Sequence, residues 1–369
     1  MKIEIVNSKS NIECFFCKNL KTSLKIKITD APLVLGCTSK TKNNDDLISY
    51  NVYQCQHCNL VFTDANLDEM AYSQVHSEAV GKIWKEHHKL FSEFVNSKEN
   101  RQTLEIGPSN NPISRKNTTF VDMFEEIPFT LLENENYVKG RFPDVRLKGK
   151  FNRIIASHVF EHSTNPEQFL LKCLEILDDD GEIFLSIPNF EFWINQKYWN
   201  GITAEHQIYP SVDQIKQICN KLELNLKFEF FQNHSVFLRL NAYIKYQNED
   251  STHMIDVVRW AESIKSSIKT LEDYILKNNI KEIFIAGASH ISQYPIMMSE
   301  SIRRITNYTL DNSISKHEKR LYGTSCVCKP FEYLSTVKNP TVVLFNSPYR
   351  KEMIEQIKFV NKNSNIIEC

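Results

Sequence analysis

Two cysteine pairs near the start of the chain, Cys14-Phe-Phe-Cys17 and Cys55-Gln-His-Cys58, most constrain how it can fold. Each CxxC unit can present two thiolates to one ion, and two such units complete a closed, tetrahedral site of the structural-zinc type. The segment between them must then fold back on itself. Thiols are also common core residues, but two CxxC units this close together favour zinc over chance burial. The expected ligands are Cys14, Cys17, Cys55 and Cys58. Cys37 lies between the pairs as a spare or core thiol. Cys326 and Cys328 are one residue apart with no second pair to complete a site, and read as structural.

Ten cysteines could also suggest a disulfide framework. Against that, the start, MKIEIVNSKSNIEC, lacks the apolar core of a signal peptide, and no apolar run reaches the ~18 residues of a membrane span. The expected location is cytoplasmic, where thiols stay reduced. With 44 Lys+Arg against 45 Asp+Glu, the net charge of −1 provides no global field for nucleic acid or an anionic membrane. The 369 residues leave room for two or three domains at ~100–200 residues each. At 41% hydrophobic and 24% charged they are globular in composition.

Residues 1–95 carry the cysteine pairs, strand-like stretches at 24–28 and 52–53, and a helix expected over 77–94. From 103 the pattern alternates: strands at 103–106, 119–122 and 151–156, a helix at 166–177, a turn at 178–181 and a strand at 182–187. Such alternation reads as βαβ units with a parallel sheet. After an amphipathic helix at 251–277, a second alternation follows, with strands at 281–286, 308–310 and 341–345 and a helix at 351–359. The expected division is 1–95, 96–248 and 249–369.

Only 9 glycines occur, so Gly107, directly after the strand at 103–106, carries weight. Asp122 ends the next strand, where an acid accepts hydrogen bonds from ribose hydroxyls in open α/β sheets. Taken alone, a glycine turn and a strand-end acid also fit a plain turn and a helix cap. The runs Leu104-Glu-Ile-Gly-Pro-Ser-Asn-Asn-Pro112, Val121-Asp122, Phe151-Asn-Arg-Ile-Ile-Ala-Ser-His-Val-Phe-Glu-His162 and Leu177-Asp-Asp-Asp-Gly-Glu-Ile-Phe-Leu-Ser-Ile-Pro-Asn189 occur in order. Together they resemble the motifs of class I S-adenosylmethionine-dependent methyltransferases. The resemblance implies Glu105, Gly107 and Asn110 beside the cofactor, Asp122 on its ribose, and Ser157 and His158 at the border of the site. His158 and His162, four apart, would share a face if helical. With no third ligand in view they read as structural.

Paired CxxC units ahead of such a core, with a second α/β unit behind it, resemble the sugar C-methyltransferases that act on nucleotide-linked keto-sugars. Ile285-Ala-Gly-Ala288, Leu310-Asp-Asn312, Lys316, Gly323-Thr324 and Asn346-Ser-Pro-Tyr-Arg350 are the C-terminal landmarks. The implied fold is a class I methyltransferase Rossmann-like parallel sheet, preceded by a small zinc-binding domain and followed by a second Rossmann-like α/β domain.

Carbon methylation beside a keto group needs a base for a carbon-bound proton, and histidine titrates in the right range. Gly201-Ile-Thr-Ala-Glu-His-Gln-Ile-Tyr-Pro210 resembles the family's Tyr-x-Glu-His segment, with Thr203 in place of the tyrosine. Glu205 and His206 are thus the expected catalytic pair. Neighbours point apart on a regular strand, so both reach one pocket only if this segment is irregular. His234-Ser-Val-Phe-Leu-Arg239 keeps the His and Arg of a further family run without its glycines, which makes His234 and Arg239 the expected substrate contacts. Three functions follow: C-methylation of a nucleotide-linked sugar; O- or N-methylation of a carbohydrate or related polar metabolite; and a non-catalytic binding protein on the same fold.

Overall fold

The structure is a computed structural model that describes residues 1–42, 45–65, 67, 80–108, 110–125, 127, 129–245 and 255–369. Three sheets organise it. The first is antiparallel, in the order β1 (Lys2–Ser10), β2 (Thr22–Pro32), β4 (Leu47–Cys55), β5 (Val61–Thr63) and β11 (Ile208–Tyr209). The strands meet the two cysteine pairs at one end, since Thr22 faces Cys55 across β2 and β4.

The second sheet runs β12 (Asn225–Phe231), β13 (Ser235–Asn241), β10 (Leu177–Pro188), β9 (Phe151–Ser157), β6 (Thr103–Ile106), β7 (Thr118–Asp122) and β8 (Asn136–Lys139). The five strands from β10 to β8 are parallel, and β13 lies antiparallel between β10 and β12. All four residues of β6 are buried, as expected of a strand covered on both faces. The helix α2 (Pro166–Ile176) starts where Asn165 accepts the Gln168 N–H and Pro166 fills the first turn.

The third sheet runs β19 (Asn365–Glu368), β18 (Thr341–Leu344), β14 (Ile283–Ala286), β15 (Thr306–Leu310), β17 (Val327–Lys329), β16 (Arg320–Leu321) and β3 (Cys37–Thr38). Its centre, β19 to β17, is parallel. Two very short strands cross the expected divisions. β3 joins the third sheet beside β16, and β11 joins the first beside β5. One apolar core also spans the first and third sheets, taking in Ile26, Ile28, Ile283 and Ile285. The long helix α5 (Val257–Lys277) fills it with Trp260, Ile264, Leu271 and Ile275. Their spacing is that of one helix face.

Several local expectations are revised. The helix expected over 77–94 is α1, Lys82–Phe94; residues 77–79 lie outside the described set. The helix expected over 251–277 starts at Val257, where Asp256 accepts the Arg259 N–H, and 251–254 also lie outside. The turn expected at 178–181 is part of β10, whose pairing with β9 shifts register between Leu177 and Glu182. That shift absorbs the three aspartates without breaking the strand. His158 and His162 do not share a helix face: His158 has φ 54° and only Phe160–His162 form a 3-10 turn.

Candidate active site

A cavity of about 1000 Å³ lies at the carboxyl ends of the parallel strands of both the second and third sheets. Gly107, Asp122, His158 and His206 line it from one side and Gly287 and Asp311 from the other. The turn after β6 is built on Gly107, at φ 62°; a Cβ there would sit 2.7 Å from Val159 Cγ2. Only glycine fits both the conformation and the space. Glu105 accepts the N–H groups of Ile113 (2.7 Å) and Ser114 (2.9 Å), so it clamps the loop that leads away from Gly107. Burial pushes its carboxyl up to about 8 in spite of these two bonds.

Asp122 ends β7 on the cavity wall, with the Met123 N–H on Oδ1 at 2.7 Å. Burial lifts its carboxyl to about 6. Asn110 and Ser157 also line the cavity. His158 Nε2 is 3.0 Å from Ser235 Oγ, and burial lowers the ring to about 3, keeping it neutral.

Residues 201–207 hold no regular strand, and both Glu205 and His206 line the cavity. In place of a tyrosine at 203, the Tyr209 hydroxyl accepts the Thr203 N–H (3.0 Å) and donates to the Thr203 carbonyl (2.6 Å), propping the segment from below. Burial, with Glu161 close by, pushes Glu205 up to about 8.

The two expected substrate contacts lie elsewhere. His234 is buried behind the wall, with Nδ1 2.7 Å from Ser235 Oγ and Nε2 3.1 Å from Tyr349 Oη. Arg239 makes a two-pronged ion pair with Glu182 (2.6 and 2.8 Å) along the second sheet. Neither is among the lining residues. Sequence reasoning missed Trp84 and quoted Tyr349 only within a C-terminal landmark; both line the cavity and join through a 3.0 Å hydrogen bond between α1 and the C-terminal region. Glu161, quoted only as part of a longer motif, and His162, read as structural, also line it.

At the far end of the first sheet, Cys14 Sγ is 3.6 Å from Cys58 Sγ and Cys17 Sγ 3.5 Å from Cys55 Sγ. None of the four is in a disulfide. Sulfurs around a tetrahedral zinc at ~2.3 Å sit roughly 3.8 Å apart, so the group fits such an ion closely. The His57 N–H also donates to Cys55 Sγ at 3.4 Å.

The strand order of the second sheet, five parallel strands followed by an antiparallel β13 inserted beside β12, is that of the class I methyltransferase fold. Solved methyltransferases are among the structures similar to the chain. The glycopeptide N-methyltransferase MtfA is 10% identical, covers 42% of this chain and 89% of its own, and has a TM-score of 0.33. The N-methyltransferase NodS from Bradyrhizobium japonicum WM9 is 11% identical over 43% of this chain and 95% of its own, at 0.33. The plantazolicin methyltransferase BpumL, in complex with SAH, is 11% identical over 43% and 82%, at 0.34. The strand order, and not these superpositions, defines the fold. No protein-family model matches the sequence, and no curated protein matches it either. Among the described residues, no helix is long and apolar enough to cross a membrane.

Proposed function

We propose that the chain is an S-adenosylmethionine-dependent methyltransferase that methylates a carbon of a nucleotide-linked keto-sugar, with a structural zinc on Cys14, Cys17, Cys55 and Cys58. The observation that carries this reading is the single cavity that joins the Gly107–Asp122 strand ends to the Glu205–His206 pair. Gly107 lets backbone approach the cofactor, and Asp122 accepts from its ribose hydroxyls. Bound there, S-adenosylmethionine supplies an electrophilic methyl group. The chain's own task is to take a proton from the acceptor carbon, and Glu205 and His206 are the groups on the wall suited to it. The size of the cavity, and the Gly287 and Asp311 side of it, support an acceptor larger than a lone sugar.

The test is a panel of nucleotide-sugars with methyl-labelled S-adenosylmethionine, followed by locating the label on carbon, oxygen or nitrogen. Label on oxygen or nitrogen makes the chain an O- or N-methyltransferase; no transfer to any sugar favours a binding protein. His206→Ala should lower turnover by ~10²–10⁴-fold with cofactor affinity nearly unchanged. A comparable loss in Glu205→Gln fits Glu205 as the base or as a contact to the sugar, and a smaller one fits a residue that only orients the His206 ring. Elemental analysis of protein purified without chelator should find zinc, lost together with the first sheet when the cysteines are replaced.

A further inference from the structure

We propose that Glu161, His162 and His206 hold a divalent cation in the wall of the cavity, separate from the four-cysteine site. One ligand atom of each lies within 4.8 Å of the others. Donors about 2.0–2.2 Å from one tetrahedral ion stand roughly 3.3–3.6 Å apart, so the three close by at most about 1.5 Å when an ion binds.

The strongest pointer is Glu161. Its residue is 0% exposed, and neither carboxylate oxygen has a hydrogen-bond partner. His158 Nδ1 stands 3.5 Å from Oε1 on a ring that burial keeps neutral, and the charge that acts on the carboxylate is that of His162. A buried carboxylate is costly unless paired, bonded or coordinated to a metal. The histidine beside it has its tautomer set by a backbone bond. His162 Nδ1 donates to the Glu205 carbonyl at 2.8 Å, which places its remaining lone pair on Nε2. Metal-ligating histidines are set in this way, with the second ring nitrogen bonded to a carbonyl or carboxylate.

The third ligand is brought in by backbone. The Gln207 N–H donates to the Glu161 carbonyl (2.9 Å), and Thr63 Oγ1 donates to the His206 carbonyl (2.9 Å). Phe190 packs edge-on to the His206 ring, with centroids 5.2 Å apart. The segment 205–207 is therefore pinned against 161–162 from two sides. One carboxylate oxygen and two imidazole nitrogens suit Zn²⁺, Mn²⁺, Fe²⁺ or Co²⁺, and three protein ligands leave positions open to the cavity. Two adjacent acceptor oxygens, a carbonyl and a hydroxyl, fit those positions. With the ion bound, His206 is a ligand and Glu205 is left as the base. The carbon-bound proton would pass to the Glu205 carboxylate, the C–H pair would form the enolate C=C, and the C=O π pair would move onto the oxygen, whose charge an ion held by Glu161, His162 and His206 would offset. This step rests on the proposed acceptor; the ion site does not.

The probe is Mn²⁺, which prefers oxygen and nitrogen donors over thiolates, titrated into the full chain with its zinc retained and followed by electron paramagnetic resonance. The expected result is one bound Mn²⁺ per chain, with affinity at least tenfold weaker in Glu161→Gln and in His162→Asn. No binding at millimolar Mn²⁺, or unchanged binding in both variants, overturns the site. Should a variant fail to fold, Co²⁺ added to the wild-type chain decides. Weak visible bands without sulfur-to-cobalt charge transfer support the site, and charge transfer alone overturns it. Neither measurement contains methyl donor or acceptor. A chain that binds Mn²⁺ through these residues yet transfers no methyl group loses the proposed function and keeps the ion.

Discussion

The second and third sheets place the same backbone device at the mouth of one cavity and use it differently. In the second, β6 ends at Gly107 (φ 62°), whose N–H donates to the Val121 carbonyl at 2.8 Å, and β7 ends at Asp122. In the third, β14 is followed by Gly287 (φ 93°), whose N–H donates to the Leu310 carbonyl at 2.7 Å, and β15 is followed by Asp311. The acids then diverge. Asp122 takes a bond from its neighbour Met123. Asp311 is spent inside its own sheet: Oδ2 accepts Ala288 N and Lys316 Nζ, both at 2.9 Å, and Oδ1 accepts Ser313 N at 2.9 Å. The acid proposed to meet a ribose is at the second sheet. At the third, it is a strut between two loops, and the open side is at Gly287, where an added Cβ would meet nothing within 4 Å.

The largest effect should therefore come from the acid that binds nothing outside the protein. Asp311→Ala strands the Lys316 ammonium, whose side chain is only 8% exposed, and removing one partner of a buried pair costs about 3–5 kcal/mol. Denaturant melts should record that loss, while S-adenosylmethionine affinity of the folded protein stays near wild type. Adding Lys316→Met should return much of the stability, since the uncompensated charge goes with it. Asp122→Ala should do the reverse. It should weaken S-adenosylmethionine binding by about 1.5–3 kcal/mol, the range for a hydrogen bond to a charged group, with little loss of stability by the same melts. Equal weakening of cofactor binding by the two substitutions, read by calorimetry, would erase the distinction between the sheets.

The features legible in the sequence were those made by short stretches of chain. The two CxxC units, the strand into Gly107 and the strand into Asp122 each carry their geometry within a few residues. What the sequence concealed depends on tertiary pairing. Glu161 and His162 meet His206 through tertiary bonds, Gln207 N–H to the Glu161 carbonyl and His162 Nδ1 to the Glu205 carbonyl, and no local pattern encodes them. Arg239 kept its family spacing from His234, yet Glu182 on the neighbouring strand β10 claims its guanidinium. Asp178 to Gly181 had turn composition, but the pairing of β10 overrode local propensity. The two-residue strands β3 and β11 are too short for any periodicity, although they tie the three sheets together.

The smallest expected effect is one of pH, and it separates the two acids without removing either side chain. Burial holds the Asp122 carboxyl at about 6 against an ordinary 3.8, outweighing the backbone bonds from Met123 and Phe124. Tyr137, from β8, bonds to the Asp122 carbonyl rather than to the carboxylate. The folded chain thus binds this proton more tightly than the unfolded chain. The group's contribution to stability is fully present below its unfolded value and is lost as pH rises through about 4 to 6. Cofactor binding has the opposite sign, because only the carboxylate can accept from both ribose hydroxyls; affinity should climb with pH through about 6. Calorimetry and melts across this range should show both slopes in the wild type and neither in Asp122→Asn. Asp311→Asn should leave the cofactor slope in place, since Asp311 lies on the other side of the cavity and is committed to Lys316. A slope that survives in Asp122→Asn would pass to another buried acid, such as Glu105, whose carboxyl is held at about 8 and whose window is correspondingly higher.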